Sequence, residues 1–212
     1  MSFRHEFLDL ALRLKVLRFG DYTLKSGRRS PYFFNAGLIS SGAALAALGR
    51  AYAHTLVDAG VGFDMLFGPA YKGIALASAT AIALADGHAR DVPFAFNRKE
   101  AKDHGEGGVL IGAPLAGRVV IVDDVISAGT SVRESVALIR AGGAEPAAVL
   151  IALDRQERGL GTLSAAGEVR AEFGIPVLAI ANLDELLAFA AARAELAAEL
   201  PRLRAYRQEW GA

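Results

Sequence analysis

Apolar residues recur along this chain at two spacings, and the changes between them mark its elements. Phe3, Phe7, Leu10, Ala11 and Leu14 lie three and four apart, which predicts an amphipathic first helix. Residues 19–24 and 32–35 read as extended segments joined by the turn Ser26-Gly27-Arg28-Arg29. The Ala- and Leu-rich stretch 43–57 predicts a helix that stops before Gly60. Short apolar strands are predicted at 64–67, closed by Gly68-Pro69, and at 93–96. Between them residues 74–84 form a helix that is apolar almost all round, which predicts burial. Residues 98–110 mix charges, a histidine and glycines without periodicity, and so read as a long mobile loop. Residues 119–122, a helix over 132–141 and residues 147–153 complete a strand–helix–strand unit, and 169–173 and 177–180 add one more helix and strand. Two amphipathic helices, 183–197 and 201–210, follow. Strands alternating with helices predict an α/β fold with a parallel sheet, without a long linker or internal repeat. The N-terminal hairpin and the last third of the chain are expected to form a small cap over the sheet's carboxyl edge.

Composition narrows the class. The 212 residues are 53% hydrophobic, enough for a substantial core. A formal net charge of zero argues against a broad nucleic-acid footprint. With no cysteine there is no disulfide, thiol nucleophile or thiolate metal site. Charges or glycines interrupt every apolar run before membrane-spanning length, and no apolar signal core follows Met1. The cytoplasm is the expected compartment, with no membrane partner. The histidines form no His-x-x-x-His pair, which argues against a zinc enzyme.

Candidate chemistry concentrates at 119–131, Val-Val-Ile-Val-Asp-Asp-Val-Ile-Ser-Ala-Gly-Thr-Ser. A β-branched apolar run ends in two carboxylates and passes through a small-residue turn into a helix. Asp123 and Asp124 therefore fall at the carboxyl end of a buried strand, where open α/β sheets bind ligands. Residues 127–131 put backbone N–H groups at a helix N-terminus, a cradle for phosphate. Two hydroxyl-binding acids beside such a cradle suit a ribose 5-phosphate; the plainer alternative is a strand, turn and helix with solvated acids.

Four further segments are open to two readings each. Lys25-Ser26-Gly27-Arg28-Arg29-Ser30-Pro31-Tyr32-Phe33-Phe34-Asn35 is a polar turn entering an aromatic edge strand, or a lysine and aromatic pair holding a flat anionic ring. Gly68-Pro69-Ala70-Tyr71-Lys72-Gly73 is an ordinary strand-to-helix turn, or a close backbone approach to a ligand with one positive charge. The run from Arg98 to Gly108 is a solvated loop, or a movable lid whose Arg98, Lys99, Lys102 and His104 suit a polyanionic leaving group. Leu153-Asp154-Arg155-Gln156-Glu157-Arg158-Gly159 is a mixed-charge surface loop, or it offers Arg155 as a bidentate partner for a carboxylate.

These five segments, in this order, resemble the orotate phosphoribosyltransferases of the type I phosphoribosyltransferase family. The resemblance implies a central, mostly parallel sheet flanked by helices in a single domain over residues 1–212, with a hood from about 1–40 plus part of the C-terminal third. It implies transfer of the phosphoribosyl group of phosphoribosyl pyrophosphate (PRPP) to orotate. PRPP would be bound by Lys25, Tyr71, Lys72, Arg98, Lys99, Lys102, His104, Asp123, Asp124, Val125, Ile126, Ser127, Ala128, Gly129, Thr130 and Ser131. Orotate would be bound by Phe33, Phe34, Ser127 and Arg155. Lys72, Lys102, His104, Asp123 and Asp124 would act in catalysis. The resemblance also implies one Mg²⁺ held mainly by PRPP and water rather than by protein ligands, a homodimer whose lid reaches the neighbouring subunit's site, and a cis peptide at Ala70-Tyr71. Ser127 stands where many members carry Thr, and Ser131 where Ala is frequent and where it adds a candidate phosphate donor. Arg29 has no assigned role. A purine phosphoribosyltransferase would keep the Asp-Asp motif without the 25–35 hood or Arg155; a non-catalytic PRPP sensor would have a basic surface and a degraded lid.

Overall fold

The apolar runs in the middle of the chain are strands whose side chains alternate between two separate cores. Val120, Val122, Leu150 and Ala152 enter one core, and Val119, Ile121, Val149 and Ile151 enter the other. Covering both faces makes every position apolar, which is why these strands read as continuous runs. The computed structural model describes residues 2–24, 26–102, 108–159 and 161–212. Its strands are β1 (Leu17–Thr23), β2 (Arg29–Phe34), β3 (Met65–Gly68), β4 (Phe94–Lys102), β5 (Gly108–Gly112), β6 (Arg118–Val122), β7 (Glu145–Asp154) and β8 (Val177–Asn182). The helices are α1 (Phe3–Arg13), α2 (Gly42–Ala59), α3 (Lys72–His88), α4 (Thr130–Ala141), α5 (Ala165–Phe173), α6 (Leu183–Ala191) and α7 (Leu200–Trp210), with 3₁₀ turns at Ala36–Leu38 and Ala194–Leu196.

Six strands form a sheet in the order β5-β4-β3-β6-β7-β8, parallel except for the antiparallel edge strand β5. Helices α1, α2, α3, α6 and α7 pack on one face, and α4 and α5 on the other. From β3 the chain runs outward to β4, and from β6 it runs the opposite way to β7. The adjacent pair β3 and β6 is therefore a topological switch point, and the turns leaving their carboxyl ends face one another across a crevice. The backbone at the β3 turn comes very close to α3: a Cβ on Gly68 would lie 2.1 Å from the Gly73 carbonyl oxygen. Only glycine permits that approach.

β1 and β2 form a separate antiparallel hairpin. It is fastened to α7 by Arg202, which donates to the Gly20 carbonyl and the Asp21 carboxylate, and by an edge-on contact between Tyr32 and Tyr206.

Three expectations change. Residues 98–110 are not one loop, because β4 continues to Lys102 and β5 begins at Gly108. Only residues 103–107 lie outside the described part of this segment. Backbone pairing of Phe96 with Ile111 and Asn97 with Leu110 replaces the periodicity that the charged side chains obscured. The helix expected over 183–197 ends at Ala191. Arg193 is extended there (φ −127°, ψ 119°), with its guanidinium 2.9 Å from Asp9 and 4.1 Å over the Phe189 ring, and these contacts turn the chain where its sequence carries no breaker. Helix α3 buries Leu76, Ala77, Thr80 and Leu84 but leaves Ile82 62% exposed, because only one side of it lies on the sheet.

Candidate active site

The carboxylate turn after β6 is organised by hydrogen bonds within itself and from β7 and α2. The Asp123 N–H donates to the Leu150 carbonyl, and the Asp123 carbonyl accepts from the Tyr52 hydroxyl at 2.8 Å. One carboxylate oxygen of Asp123 takes the Asp124 N–H at 2.9 Å, and the other takes the Ser131 hydroxyl at 3.0 Å. Asp124 accepts the Val125 N–H at 3.0 Å, while its carbonyl receives the N–H groups of Ala152 and Leu153. Its second carboxylate oxygen lies 2.6 Å from Lys72 Nζ. That ion pair spans the switch-point crevice and joins the turns after β3 and β6. Burial, reinforced by the neighbouring Asp124 charge, pushes the Asp123 carboxyl up to about 6.

Beyond the acids, Gly129 takes a left-handed conformation (φ 74°) at the N-terminus of α4 and provides no side-chain cap. The first N–H groups of that helix therefore retain capacity for an anion. Ser127, Ala128 and Thr130 are exposed and Val125 and Ile126 half-buried, whereas Ser131 is turned inward to Asp123. Arg133 braces the turn, donating to the Ala128 carbonyl at 2.7 Å while paired with Glu172 at 2.8 Å.

The β3 turn contributes Tyr71, 70% exposed, and the Lys72 ammonium. The Ala70-Tyr71 peptide is cis, as the resemblance implied. Asn97 on β4 receives the Ala70 N–H at 2.9 Å, and the ammonium of Lys99 lies 5.1 Å over the Tyr71 ring. Arg98 is half-buried on the same strand. Lys102 pairs through its backbone with Gly108. Lys25, His104 and the Lys102 side chain lie outside the described residues, so these sequence assignments have no geometry.

A second cluster forms after β7. The guanidinium of Arg155 is 4.1 Å over the Tyr32 ring. It donates from Nε to Glu157 at 2.6 Å and from Nη2 to Ser30 at 2.9 Å and to the Tyr206 hydroxyl at 3.4 Å. Tyr32 is fully buried with no partner for its hydroxyl among the described residues, and burial pushes that phenol up from its ordinary range. Phe33 and Phe34 point to opposite sides of β2. Phe34 packs on Phe7 in the core, while the half-buried Phe33 stacks on Tyr22 at 5.4 Å. Sequence reading missed Tyr52, Asn97, Glu157 and Tyr206. Asn97 carried a signal, a polar residue closing the apolar run Phe94-Ala95-Phe96. Tyr52 and Tyr206 carried none, being ordinary inward positions of helices.

The described residues hold no group of three carboxylate or imidazole donors, and no described helix is long and apolar enough to cross a membrane.

A crevice at a parallel-sheet switch point, with paired carboxylates, an uncapped helix N-terminus and a lysine on the opposing turn, defines a phosphoribosyl transferase, and the phosphoribosyl transferase domain profile matches residues 38–160. An orotate phosphoribosyltransferase of Laribacter hongkongensis is 65% identical over 210 residues, covering 99% of this chain and 98% of that protein. The crystal structure of orotate phosphoribosyltransferase from Francisella tularensis superposes with a TM-score of 0.88 at 40% identity, over 98% of this chain and 100% of that one. The chain belongs to the orotate phosphoribosyltransferase family. An adenine phosphoribosyltransferase from Leishmania tarentolae, 20% identical with a TM-score of 0.56 over 87% of this chain and 90% of that one, shares the fold alone.

Proposed function

We propose that this chain transfers the 5-phosphoribosyl group of PRPP to N1 of orotate, giving orotidine 5′-monophosphate and pyrophosphate in pyrimidine synthesis. The observation that carries this reading is the Lys72–Asp124 pair at 2.6 Å across the switch-point crevice. It sets a cation for the leaving group directly against the acids for the sugar. The reaction breaks the bond from C1′ to pyrophosphate and makes one from C1′ to N1, with positive charge developing on the sugar as in other glycosyl transfers. Such a step needs alignment and fixed charge more than covalent help. Asp123 and Asp124 accept hydrogen bonds from the ribose 2′- and 3′-hydroxyls, and the N-terminus of α4 with residues 125–131 holds the 5′-phosphate. Lys72, Lys99 and Arg98 meet the pyrophosphate, and the resemblance assigns Lys102 and His104, outside the described side chains, to the same role. Arg155 meets the orotate carboxylate, and the backbone of Phe33 and Phe34 borders the ring.

The carboxylate oxygens of Asp123 and Asp124 are hard donors whose chemistry fits a Mg²⁺ that arrives on the substrate. When bound, it would neutralise part of the pyrophosphate charge.

The direct test follows orotate absorbance with PRPP and Mg²⁺. Absence of turnover would overturn the reading. Arg155→Ala should weaken orotate by roughly one to two decades, the cost of removing a charge-assisted contact to a buried anion, and leave PRPP nearly intact. Equal loss for both substrates would contradict the assignment. The proposed homodimer with a shared lid has its own experiment: Lys102→Ala mixed with Asp124→Asn should recover some activity through hybrid sites. If subunits exchange and none returns, Lys102 does not act across subunits.

A further inference from the structure

The loop that carries Arg155 is not free-standing. Residues 156–158 pair with the last residues of the chain: the Arg158 N–H donates to the Trp210 carbonyl, the Ala212 N–H to the Gln156 carbonyl, and Glu157 bridges to Gly211. From the hairpin side, Arg28 donates to the Gly159 carbonyl at 3.1 Å and lies 4.6 Å over the Trp210 ring. Three distant segments therefore meet around one carboxylate, that of Glu157, which is 11% exposed. One of its oxygens lies 2.6 Å from both Nε and Nη2 of Arg155, and the other is 3.8 Å from Nη1 of Arg28.

This arrangement decides how Arg155 meets a ligand. Nε is taken by Glu157, and Nη2 is shared among Glu157, Ser30 and Tyr206. Among the described residues, Nη1 alone has no partner. The guanidinium plane is fixed by the Tyr32 ring beneath it. We propose that Glu157 and Tyr206 are positioning residues that lock the inner edge of Arg155 and present a single arm, Nη1, to the carboxylate of the pyrimidine acceptor. The inference rests on the reading of Arg155 as that carboxylate's partner and adds how its specificity is set. An internal carboxylate already fills the bidentate edge, so the bidentate pairing expected from the sequence gives way to a directed contact through one arm. Glu157 also offsets one of the two half-buried guanidiniums beside it. Without it, Arg155 and Arg28 would repel and Arg155 would be free to rotate.

The test measures, at saturating PRPP, the KM for orotate and the inhibition constant of orotate's carboxamide, which keeps the ring and loses the charge. In Glu157→Ala the KM for orotate should rise about tenfold, as expected for losing the alignment of one charge-assisted hydrogen bond. kcat should fall by less than about threefold, and the carboxamide and PRPP should shift by less than about twofold. Glu157→Gln, whose amide oxygen still accepts from Nε, should recover most of the orotate affinity. Should Glu157→Ala fail to fold, Tyr206→Phe reads the same lock with a smaller, roughly threefold, orotate-selective effect. An unchanged KM for orotate, or equal weakening of orotate, carboxamide and PRPP, overturns the proposal. Arg155→Ala separates the two levels. If it too leaves orotate unaffected, the functional reading of Arg155 fails; if it weakens orotate while Glu157→Ala does not, only the positioning role fails.

Discussion

The carboxylate turn after β6 and the arginine cluster after β7 lie at neighbouring strand ends, and they are built in opposite ways. Residues 123–131 organise themselves. Asp124 and Ser131 donate to Asp123, and Val125 donates to Asp124, so every one of these bonds spans eight residues or fewer. Beyond Glu157, two positions on, the Arg155 cluster draws its partners from Ser30, 125 positions away, and Tyr206, 51 positions away. Asp124 joins the two, because its carbonyl caps Ala152 and Leu153 just before Arg155. The difference separates two kinds of dependence. The turn orders its carboxylates largely through its own residues, while Tyr52, β7 and Lys72 hold it in place. A cluster held by a hairpin, a loop and a C-terminal helix needs all three docked at once.

Changes at the two regions should therefore fail differently, and the largest effect should come where even the local turn depends on packing. Gly68→Ala puts a methyl group 2.1 Å from the Gly73 carbonyl oxygen, an overlap that backbone must relieve. A loss of about 3 kcal/mol or more and a fall in melting temperature of roughly 10 °C are expected. Thermal unfolding checks this, and a shift below a few degrees would mean that strand and helix can part without cost.

Asp123→Asn should split activity from stability. Turnover should drop about 100-fold, consistent with losing a charged acceptor for a sugar hydroxyl. Stability should move the other way. Asp123 titrates at about 6 in the fold against an ordinary 3.8, so the folded state binds its proton more tightly. Its ionisation removes stability as pH rises between those values, and the whole penalty stands above about 6. Asn carries no such penalty. Differential scanning calorimetry should find the variant a few degrees more stable at pH 8, with the gain shrinking towards pH 4. A pH-independent difference would refute the buried-acid account.

Arg28→Ala touches the second region only. It removes the Gly159 contact, the Trp210 stacking and one counter-charge of Glu157. About 1–2 kcal/mol of stability should be lost, with orotate weakened more than PRPP. Equal effects on both substrates would show that the regions are less separate than their contacts imply. The smallest effect serves as a control. Ser164→Ala deletes the cap of α5, whose hydroxyl accepts the Gly167 N–H at 3.0 Å; its backbone bridges to Arg158, but no side-chain contact of Ser164 to Arg155 or the acids is removed. It should cost about 1 kcal/mol with kinetic constants unchanged, so any loss of activity would count against reading the other variants through their local contacts.

Much of the sheet was legible because a strand's period is contained within a few residues. The run 119–122, the turn 123–131 and the helix after it emerged where they were read, and so did the stop of α2 at Gly60, which adopts the left-handed conformation (φ 62°) of a helix C-cap. The resemblance placed the cis peptide on the right residues. Tertiary structure alone decided the rest. The pairing of β4 with β5, through Ala95, Phe96, Asn97 and Lys102, depends on a partner strand rather than on its own charged side chains. The break after Ala191 depends on an aspartate in the first helix. The grip of Glu157, Ser30 and Tyr206 on Arg155 depends on how a hairpin, a loop and a final helix dock. Local periodicity and turn chemistry act between near neighbours and so can be read from sequence; which distant side chains fill one guanidinium's hydrogen bonds is fixed only when packing brings their segments within about 3 Å.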